Sequence, residues 1–166
     1  AGFFGFVYVA VMMSFIYQIR ELQNGGEFVV LLFLAAWGND TLAYCTGMLI
    51  GKHKMSPILS PKKSIEGLVG GIVGAAILGA LYGLYLNTYI RFSFNPVTMF
   101  PIVCGLGGAV SVIGDLAASA IKRDSGIKDY GTLIPGHGGI LDRFDSIIFI
   151  APVIYYLTVM ISGGAI

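Results

Sequence analysis

Five apolar stretches, each about as long as a membrane is thick, constrain the fold of this chain more than any other feature. A helix that spans a bilayer needs about 20 predominantly apolar residues. Only 11% of the 166 residues are charged, against about 25% in soluble domains. The sequence therefore predicts an all-α, polytopic integral membrane protein with about five transmembrane helices. The predicted helices cover residues 3–19, 28–50, 65–86, 97–121 and 144–161.

The basic residues are distributed unevenly among the connections between these helices. The connections after the second and fourth predicted helices hold eight of the ten Lys and Arg residues, and the other two connections hold one each. With five spans, the two basic connections fall on the same side of the membrane. The positive-inside rule makes that side cytoplasmic. We therefore expect a multi-pass protein in the lipid bilayer whose polar chemistry faces the cytoplasm.

The chain begins with Ala-Gly-Phe-Phe rather than Met. We expect residues 1–166 to be a transmembrane catalytic region, the C-terminal part of a longer protein, with an active-site core at residues 111–146. Small residues recur every fourth position in residues 65–90, and such spacing allows close helix packing in membranes. Two interpretations stay open for this helix, packing within the chain and the seam of a homodimer. The row consists of Gly67, Gly71, Ala75, Gly79 and Gly83.

Residues 119–145, here called the polar segment, concentrate charged and polar residues in a mostly apolar chain. Lys and Arg side chains suit phosphate oxygens. The run Pro135-Gly-His137-Gly-Gly139 allows backbone amides to turn towards an anion. His137 either takes part in that site or braces the loop, and His53 is interpreted as a solvated loop residue. The ionic residues of the polar segment are Lys122, Arg123, Asp124, Lys128, Asp129, Asp142, Arg143 and Asp145.

Two predicted spans each contain an isolated carboxylate, Asp40 in the second and Asp115 in the fourth. A charge at membrane depth costs at least about 2.5–3.5 kcal/mol, so each should face a partner or a wet cavity. Helical spacing places Ser111, Ser119 and Lys122 near Asp115 on one helix face. Asp142 and Asp145 open the last predicted helix. The alternative is that each carboxylate pairs with Lys or Arg for structure alone.

Carboxylates from different helices in a wet pocket suit Mg²⁺, which takes one or two protein carboxylates and fills its other positions with water and phosphate oxygens. Together with the surrounding cations, they indicate phosphoryl or nucleotidyl transfer, in which the protein supplies position and positive charge. The sequence has no Walker A motif and no Ser-His-Asp or Cys-His pattern.

At these residues the chain resembles a known family, the phosphatidate cytidylyltransferases, in their bacterial integral-membrane branch. The resemblance covers roughly residues 37–146. One departure is the loop after residue 51, where family members often carry another glycine. The resemblance rests on Trp37-Gly-Asn-Asp40-Thr-Leu-Ala-Tyr44-Cys-Thr-Gly47, Ser60-Pro-Lys62-Lys63-Ser-Ile-Glu66-Gly67, Gly114-Asp115, Ser119-Ala-Ile-Lys122-Arg123, Lys128-Asp129, Pro135-Gly-His137-Gly138-Gly139 and Asp142-Arg143-Phe-Asp145.

The resemblance implies transfer of CMP from CTP to phosphatidate, giving CDP-diacylglycerol and pyrophosphate with Mg²⁺. It also implies a role in phospholipid biosynthesis at the inner (plasma) membrane, a homodimer and a second, monovalent cation. We expect no nucleic-acid partner. The lipid phosphate would itself be the nucleophile, which fits the lack of a nucleophile motif in the sequence.

The residues are assigned expected roles on this basis. The catalytic set is Asp115, Lys122, Arg123, Lys128, Asp142, Arg143 and Asp145. The metal ligands among them are Asp115, Asp142 and Asp145. The substrate-binding set is Asp40, Tyr44, Lys62, Lys63, Ser119, His137, Gly138 and Gly139.

Two other functions remain open from the sequence alone. A CTP-dependent polyprenol or phytol kinase would share the membrane plan and the basic loops but would transfer the γ-phosphoryl group. An ion or proton transporter could use Asp40 and Asp115 as a relay. The clustering of charge in a cytoplasmic loop, rather than along one pore, argues against the transporter.

Overall fold

The structure, a computed structural model, describes residues 6–56, 60–127, 130–131, 139 and 141–163. A π-helical turn, Phe6–Val11, leads into α1 (Met12–Glu21). Helix α2 (Gly25–Phe33) continues through a π-helical segment, Leu34–Gly38, into α3 (Asn39–Ile50). An antiparallel hairpin of β1 (Lys54–Ser56) and β2 (Ser60–Ser64) follows. The chain then forms α4 (Ile65–Tyr89), α5 (Pro96–Asp124) and α6 (Leu141–Ile161).

The prediction of an all-α membrane protein is confirmed. Within the described ranges, four helical stretches are long and apolar enough to cross a membrane, namely Gly25–Ile50, Ile65–Tyr89, Pro96–Asp124 and Phe144–Ile161. The first predicted span, residues 3–19, begins before the first described residue. From Phe6 to Glu21, which the structure describes, the chain is helical. The short hairpin was not predicted.

Local sequence explains where the helices begin. Ser64 caps α4 by accepting a hydrogen bond from the Gly67 amide at 3.1 Å. Asn95 caps α5 in the same way through the Val97 amide at 2.9 Å, and Pro96 occupies the first helical position, where its missing N–H costs nothing. Asn24 adopts a left-handed conformation with φ of 60°, which allows the tight turn between α1 and α2.

The small-residue row of α4 is buried within this chain. An added Cβ at Gly71 would lie 2.8 Å from the Ala43 Cβ of α3. An added Cβ at Gly79 would lie 2.6 Å from the Phe100 carbonyl oxygen of α5. Glycine therefore lets α4 pack closely on α3 near its start and on α5 near its end. Both contacts lie within one chain. The opposite, exposed face of α4 carries large apolar side chains, namely Val69, Val73, Ile77, Leu81 and Tyr85.

The two ends of the helix bundle differ in character. The turn after α1, the connection after α4 and the end of α6 meet at one end around a small cavity of about 110 Å³. That end is closed by packed rings, namely Phe28, Phe92, Phe94 and Phe100. The hairpin, the end of α5 and the start of α6 lie at the other end. The two basic connections therefore share one end of the bundle, as the charge pattern predicts.

Candidate active site

A cavity of about 510 Å³ lies at the basic end of the bundle. Cavities of about 300–1,000 Å³ are the usual size for small-molecule sites. One face of α3, the hairpin, the first turn of α4 and one side of α5 form its walls. The described lining residues are Asn39, Asp40, Ala43, Tyr44, Gly47, Met48, Lys54, Met55, Ser60, Lys63, Ser64, Gly67, Leu68, Val112 and Asp115.

The π-helical segment Leu34–Gly38 comes directly before the part of α3 that faces this cavity. Such segments occur mainly as single turns inside α-helices, frequently at functional sites. After it, residues one turn apart lie on the cavity face, so Asp40, Tyr44 and Met48 line the same wall. Tyr44 and Met48 are each 67% exposed. These two exposed side chains make this rim of the cavity largely apolar.

Lys63 of β2 forms an ion pair with Asp115 of α5. Both side chains are about a quarter exposed, at 27% and 24%. The pair therefore lies at the cavity wall, where both groups can reach a bound molecule.

Asp40 lies close to this pair. Its carboxylate interacts with the side chains of Asn39 and Ser146 and with the charges of Lys63 and Asp115. Asp145 of α6 also interacts with Asp115 and Asp40. Carboxylates from α3, α5 and α6 thus interact with one another, and Lys63 and Lys122 offset part of their repulsion.

A second ionic cluster joins α5 to α6. The Lys122 ammonium lies 2.8 Å from Asp142 Oδ1 and 3.7 Å from Asp145 Oδ2. These side chains are only 12%, 6% and 10% exposed. The Lys122 ammonium also lies 5.2 Å from the centre of the Tyr130 ring, within reach of a cation–π interaction.

Backbone amides complete the shell around Asp142. Its Oδ2 accepts hydrogen bonds from the Tyr130 amide at 2.8 Å and the Gly139 amide at 2.9 Å. Burial acts to raise the pKa of Asp142, but the hydrogen bonds from Lys122, Gly139 and Tyr130 outweigh it, so the pKa is lowered. Asp142 is therefore held ionised, with both oxygens engaged.

Tyr130 closes one side of this cluster. Its hydroxyl donates a hydrogen bond to the Ala118 carbonyl oxygen at 3.3 Å. Burial raises the pKa of the Tyr130 phenol; Lys122 opposes that shift, and Asp145 and Asp142 add to it. The phenol therefore stays a neutral hydrogen-bond donor.

Comparison with known proteins identifies the family of the chain. The sequence model of the cytidylyltransferase family matches residues 1–161. The chain belongs to the cytidylyltransferase family.

Curated relatives are similar to the chain over most of its length. A Staphylococcus saprophyticus protein named phosphatidate cytidylyltransferase is 37% identical over 154 residues, covering 93% of this chain and 56% of the relative. A Staphylococcus aureus protein of the same name is 39% identical over 152 residues, covering 92% and 56%. The chain thus spans a little over half the length of these cytidylyltransferases.

The structure brings together several predicted site residues of this cytidylyltransferase-family chain. Asp40, Tyr44, Lys63 and Asp115 line one cavity. Gly139 is buried beside Asp142. Ser119 follows Asp115 by one turn of α5 and is half-buried, whereas Arg123 is exposed near the end of that helix.

Other predicted site residues cannot be placed in the same detail. Lys128, His137 and Gly138 lie outside the described residues. Lys62 belongs to β2 and Arg143 to α6, but their side chains lie outside the described part of the structure. Their assigned roles therefore stay predictions.

The described residues hold no group of three His, Cys, Asp or Glu side chains arranged to bind a metal ion. Asp115 and Asp145 interact electrostatically, while Lys122 lies between Asp142 and Asp145. The predicted metal ligands therefore interact with one another, but each of the three is also paired with a lysine, Asp115 with Lys63 and the other two with Lys122.

Sequence reasoning missed the anchor of the hairpin. The carboxylate of Glu66, in the first turn of α4, accepts hydrogen bonds from the Lys52 amide at 3.1 Å and the His53 amide at 3.2 Å. It also lies 2.6 Å from His53 Nδ1. His53 was interpreted as a solvated residue, and its side chain is 75% exposed, yet it helps to fix the hairpin that carries Lys63. An acidic residue two positions after the Ser64 cap was the available signal.

Proposed function

We propose that the protein containing this chain transfers CMP from CTP to phosphatidate, giving CDP-diacylglycerol and pyrophosphate. The observation that carries the proposal is a cavity that combines paired Lys and Asp side chains with an apolar rim, in a chain of the cytidylyltransferase family. Similarity to proteins named phosphatidate cytidylyltransferase supports the choice of substrates.

The cavity suits a substrate with a charged head and apolar tails. Lys63, Lys54 and two carboxylates mark its polar side. Tyr44, Met48 and Leu68 belong to its apolar side. A phosphatidate headgroup would meet the charges while its acyl chains remain among lipids, which favours a lipid phosphate over a fully soluble substrate.

The lysines would supply the positive charge that phosphate transfer needs. Lys63 pairs with a carboxylate at the cavity wall and can exchange that partner for a phosphate oxygen, whereas the more deeply buried Lys122 would contribute its positive charge from within its own cluster. Arg123 is exposed near the end of α5, where it could meet a triphosphate approaching from the aqueous side. Lys62, Lys128 and Arg143 are proposed for the same task from the sequence. Ser119, His137, Gly138 and Gly139 complete the proposed substrate contacts.

No protein nucleophile is needed in this reaction. A phosphatidate oxygen forms the new bond to the α-phosphorus of CTP, and the bond from that phosphorus to the pyrophosphate oxygen breaks. The protein contributes orientation of the two phosphates and electrostatic stabilisation of the charge that develops between them. In this proposal the paired lysines would provide both.

The donor atoms near the cavity fit a divalent cation. Mg²⁺ usually keeps water and substrate oxygens and takes only one or two protein carboxylates. Asp115 and Asp145, whose charges interact, offer such a pair, and Asp142 is proposed as the third ligand from the sequence. Bound Mg²⁺ would neutralise phosphate charge and polarise the phosphoryl group. A monovalent cation near Asp40 is part of the same proposal.

Position in the cell and assembly are also part of the proposal. The concentration of basic residues at the cavity end supports a cytoplasmic active site in an inner (plasma) membrane. A homodimer is proposed from the family resemblance. Its seam would have to use a face other than the small-residue row of α4, because that row is packed against α3 and α5.

Product analysis with the purified full-length protein tests the reaction. CTP labelled on the α-phosphorus and phosphatidate in mixed micelles should give labelled CDP-diacylglycerol and unlabelled pyrophosphate in equal amounts, and chelation of Mg²⁺ should stop the reaction. Formation of CDP and a newly phosphorylated lipid would instead establish a kinase. Proton flux in liposomes without CTP turnover would establish a transporter.

A further inference from the structure

A buried polar contact lies at the wall of the ionic cavity and joins α3 to α5. The Asn39 side-chain Nδ2 donates a hydrogen bond to Ser111 Oγ at 3.1 Å. Ser111 in turn donates to the Gly108 carbonyl oxygen at 3.1 Å. Both residues are completely buried. We call Asn39 and Ser111 the Asn–Ser contact.

The Asn39 carboxamide is held tightly between two glycines. A Cβ added to Gly71 of α4 would lie 2.7 Å from Asn39 Oδ1, and one added to Gly108 of α5 would lie 3.1 Å from it. Oδ1 itself has no hydrogen-bond partner among the described residues. One side chain of α3 thus reaches the backbones of both neighbouring helices.

This arrangement is a poor way to gain stability. A buried acceptor without a partner costs at least as much free energy as one hydrogen bond contributes. Helix packing alone would be served as well by an apolar residue. A polar contact of this kind instead restricts how two helices can slide or rotate against each other, because its hydrogen bond forms in only one register.

The sequence positions link this register to the cavity. Asp40 directly follows Asn39, and Asp115 follows Ser111 by one helical turn on the same face. Any axial or rotational shift between α3 and α5 would therefore change the separation of the Asp40 and Asp115 carboxylates.

We propose that Asn39 is a positioning residue, and that its hydrogen bond to Ser111 sets the register of α3 on α5 and thereby the spacing of Asp40 and Asp115. The proposal rests on the proposed function for its kinetic consequence. Asn39 touches neither reacting phosphate in this proposal and acts through the two carboxylates.

A double-mutant cycle in the full-length protein tests the proposal, with Asn39→Ala, Ser111→Ala and the pair together. Thr158→Val is the matched control, because Thr158 is also buried but, among the described residues, its hydroxyl donates to the Ile154 and Tyr155 carbonyl oxygens of its own helix. Each single variant should lower kcat about tenfold, the scale of one buried hydrogen bond. Each single variant should also raise the Mg²⁺ concentration for half-maximal activity severalfold and leave the KM for CTP within about twofold. The double variant should lose no more activity than either single variant.

A second measurement does not depend on activity. Nitroxide labels at the exposed positions Met48 of α3 and Ile113 of α5 report the register of the two helices by electron paramagnetic resonance. The distance distribution should shift or broaden in Ser111→Ala and stay unchanged in Thr158→Val. Because Ser111→Ala removes a single oxygen atom, it keeps the test available if Asn39→Ala fails to fold.

The outcomes separate the two proposals. An active wild type whose Asn39 and Ser111 variants match Thr158→Val in kcat and in Mg²⁺ dependence would overturn the positioning role. Independent, multiplicative losses in the double variant would also overturn it. A wild type that makes no CDP-diacylglycerol would overturn the proposed function, and the label distances would still decide whether the Asn–Ser contact sets the helix register.

Discussion

The two lysine–aspartate clusters of this chain differ in how deeply they are buried and in which groups support their carboxylates. Lys63 and Asp115 pair across a hairpin and a helix, at a cavity wall where about a quarter of each side chain is exposed. Lys122 pairs with Asp142 and Asp145 between two helices, and all three are largely buried. Backbone amides support Asp142, whereas the described contacts of Asp115 include no such support.

The difference indicates a structural role for the Lys122 cluster and a substrate-binding role for the Lys63 pair. A buried, fully hydrogen-bonded pair is costly to break, so the Lys122 cluster should fix the geometry between α5 and α6. A partly exposed pair contributes little to stability and exchanges partners easily. The Lys63 pair is therefore the better candidate for a group that leaves its carboxylate to bind phosphate.

The largest effect is expected from breaking the buried cluster. Asp142→Ala leaves the Lys122 ammonium without its closest partner, and the loss of a buried partner typically costs about 3–5 kcal/mol. We expect a large drop in the melting temperature in detergent together with a loss of CTP turnover of at least about a thousandfold. Asp124→Ala, at the exposed end of α5, is the control for removing a carboxylate. Equal melting temperatures for Asp142→Ala and Asp124→Ala would contradict a structural role for the Lys122 cluster.

Removing Lys63 should separate activity from stability. Lys63→Met should change the free energy of unfolding by less than about 1 kcal/mol, because its ion pair is partly exposed. Turnover should nevertheless fall about 100-fold, the scale on which a group that stabilises transition-state charge acts. Lys52→Met, in the same connection but exposed, provides the comparison. If Lys63→Met lost stability as severely as Asp142→Ala, the contrast between the clusters would disappear.

A smaller effect is expected when the hairpin is loosened rather than its lysine removed. Glu66→Gln weakens the hydrogen bonds to the Lys52 and His53 amides, and it removes the charged partner of the His53 ring. Turnover should fall severalfold because the loosened hairpin would hold Lys63 less firmly, while the contacts of the Lys122 cluster stay unchanged. Combining Glu66→Gln with Lys63→Met should add almost nothing to the loss from Lys63→Met alone. A further severalfold loss in that double variant would show that Glu66 acts by another route.

The smallest expected effect concerns acid stability. The pKa of Asp142 is lowered in the folded chain, against about 3.9 for an unperturbed Asp. The resulting stabilisation is fully present above the unfolded pKa and is lost as the pH falls through the folded pKa. Asp142→Asn should therefore lose less stability than wild type between about pH 5 and pH 2 in thermal unfolding. Parallel pH profiles for the two proteins would contradict this assignment.

The helices could be predicted from the sequence because a spanning segment needs only length and apolar composition. Ser64 and Asn95 gave α4 and α5 their starting points by local capping. The last helix begins at Leu141 rather than at the predicted Phe144. The prediction missed this first turn because the turn is polar and carries Asp142. The hairpin escaped prediction because two short strands in a basic loop carry no apolar alternation.

The residue types of the site could be predicted, but their partners could not. Asp40 and Asp115 stood out as carboxylates within apolar runs, and both line the cavity. That Lys63 pairs with Asp115 depends on how a hairpin meets a helix 52 residues away. The Asn39–Ser111 bond was hidden for the same reason, since a neutral polar residue in a span gives no sign of which helix satisfies it.

The apolar rim of the cavity has an energetic consequence for turnover. Moving an acyl chain from a bilayer into water costs about 0.8 kcal/mol for each methylene group. A headgroup that reacts beside Tyr44 and Met48 while its tails stay among neighbouring lipids avoids that cost entirely. For a phosphatidate substrate, the encounter is then a two-dimensional search, and the rate follows the mole fraction of phosphatidate in the bilayer rather than its bulk concentration.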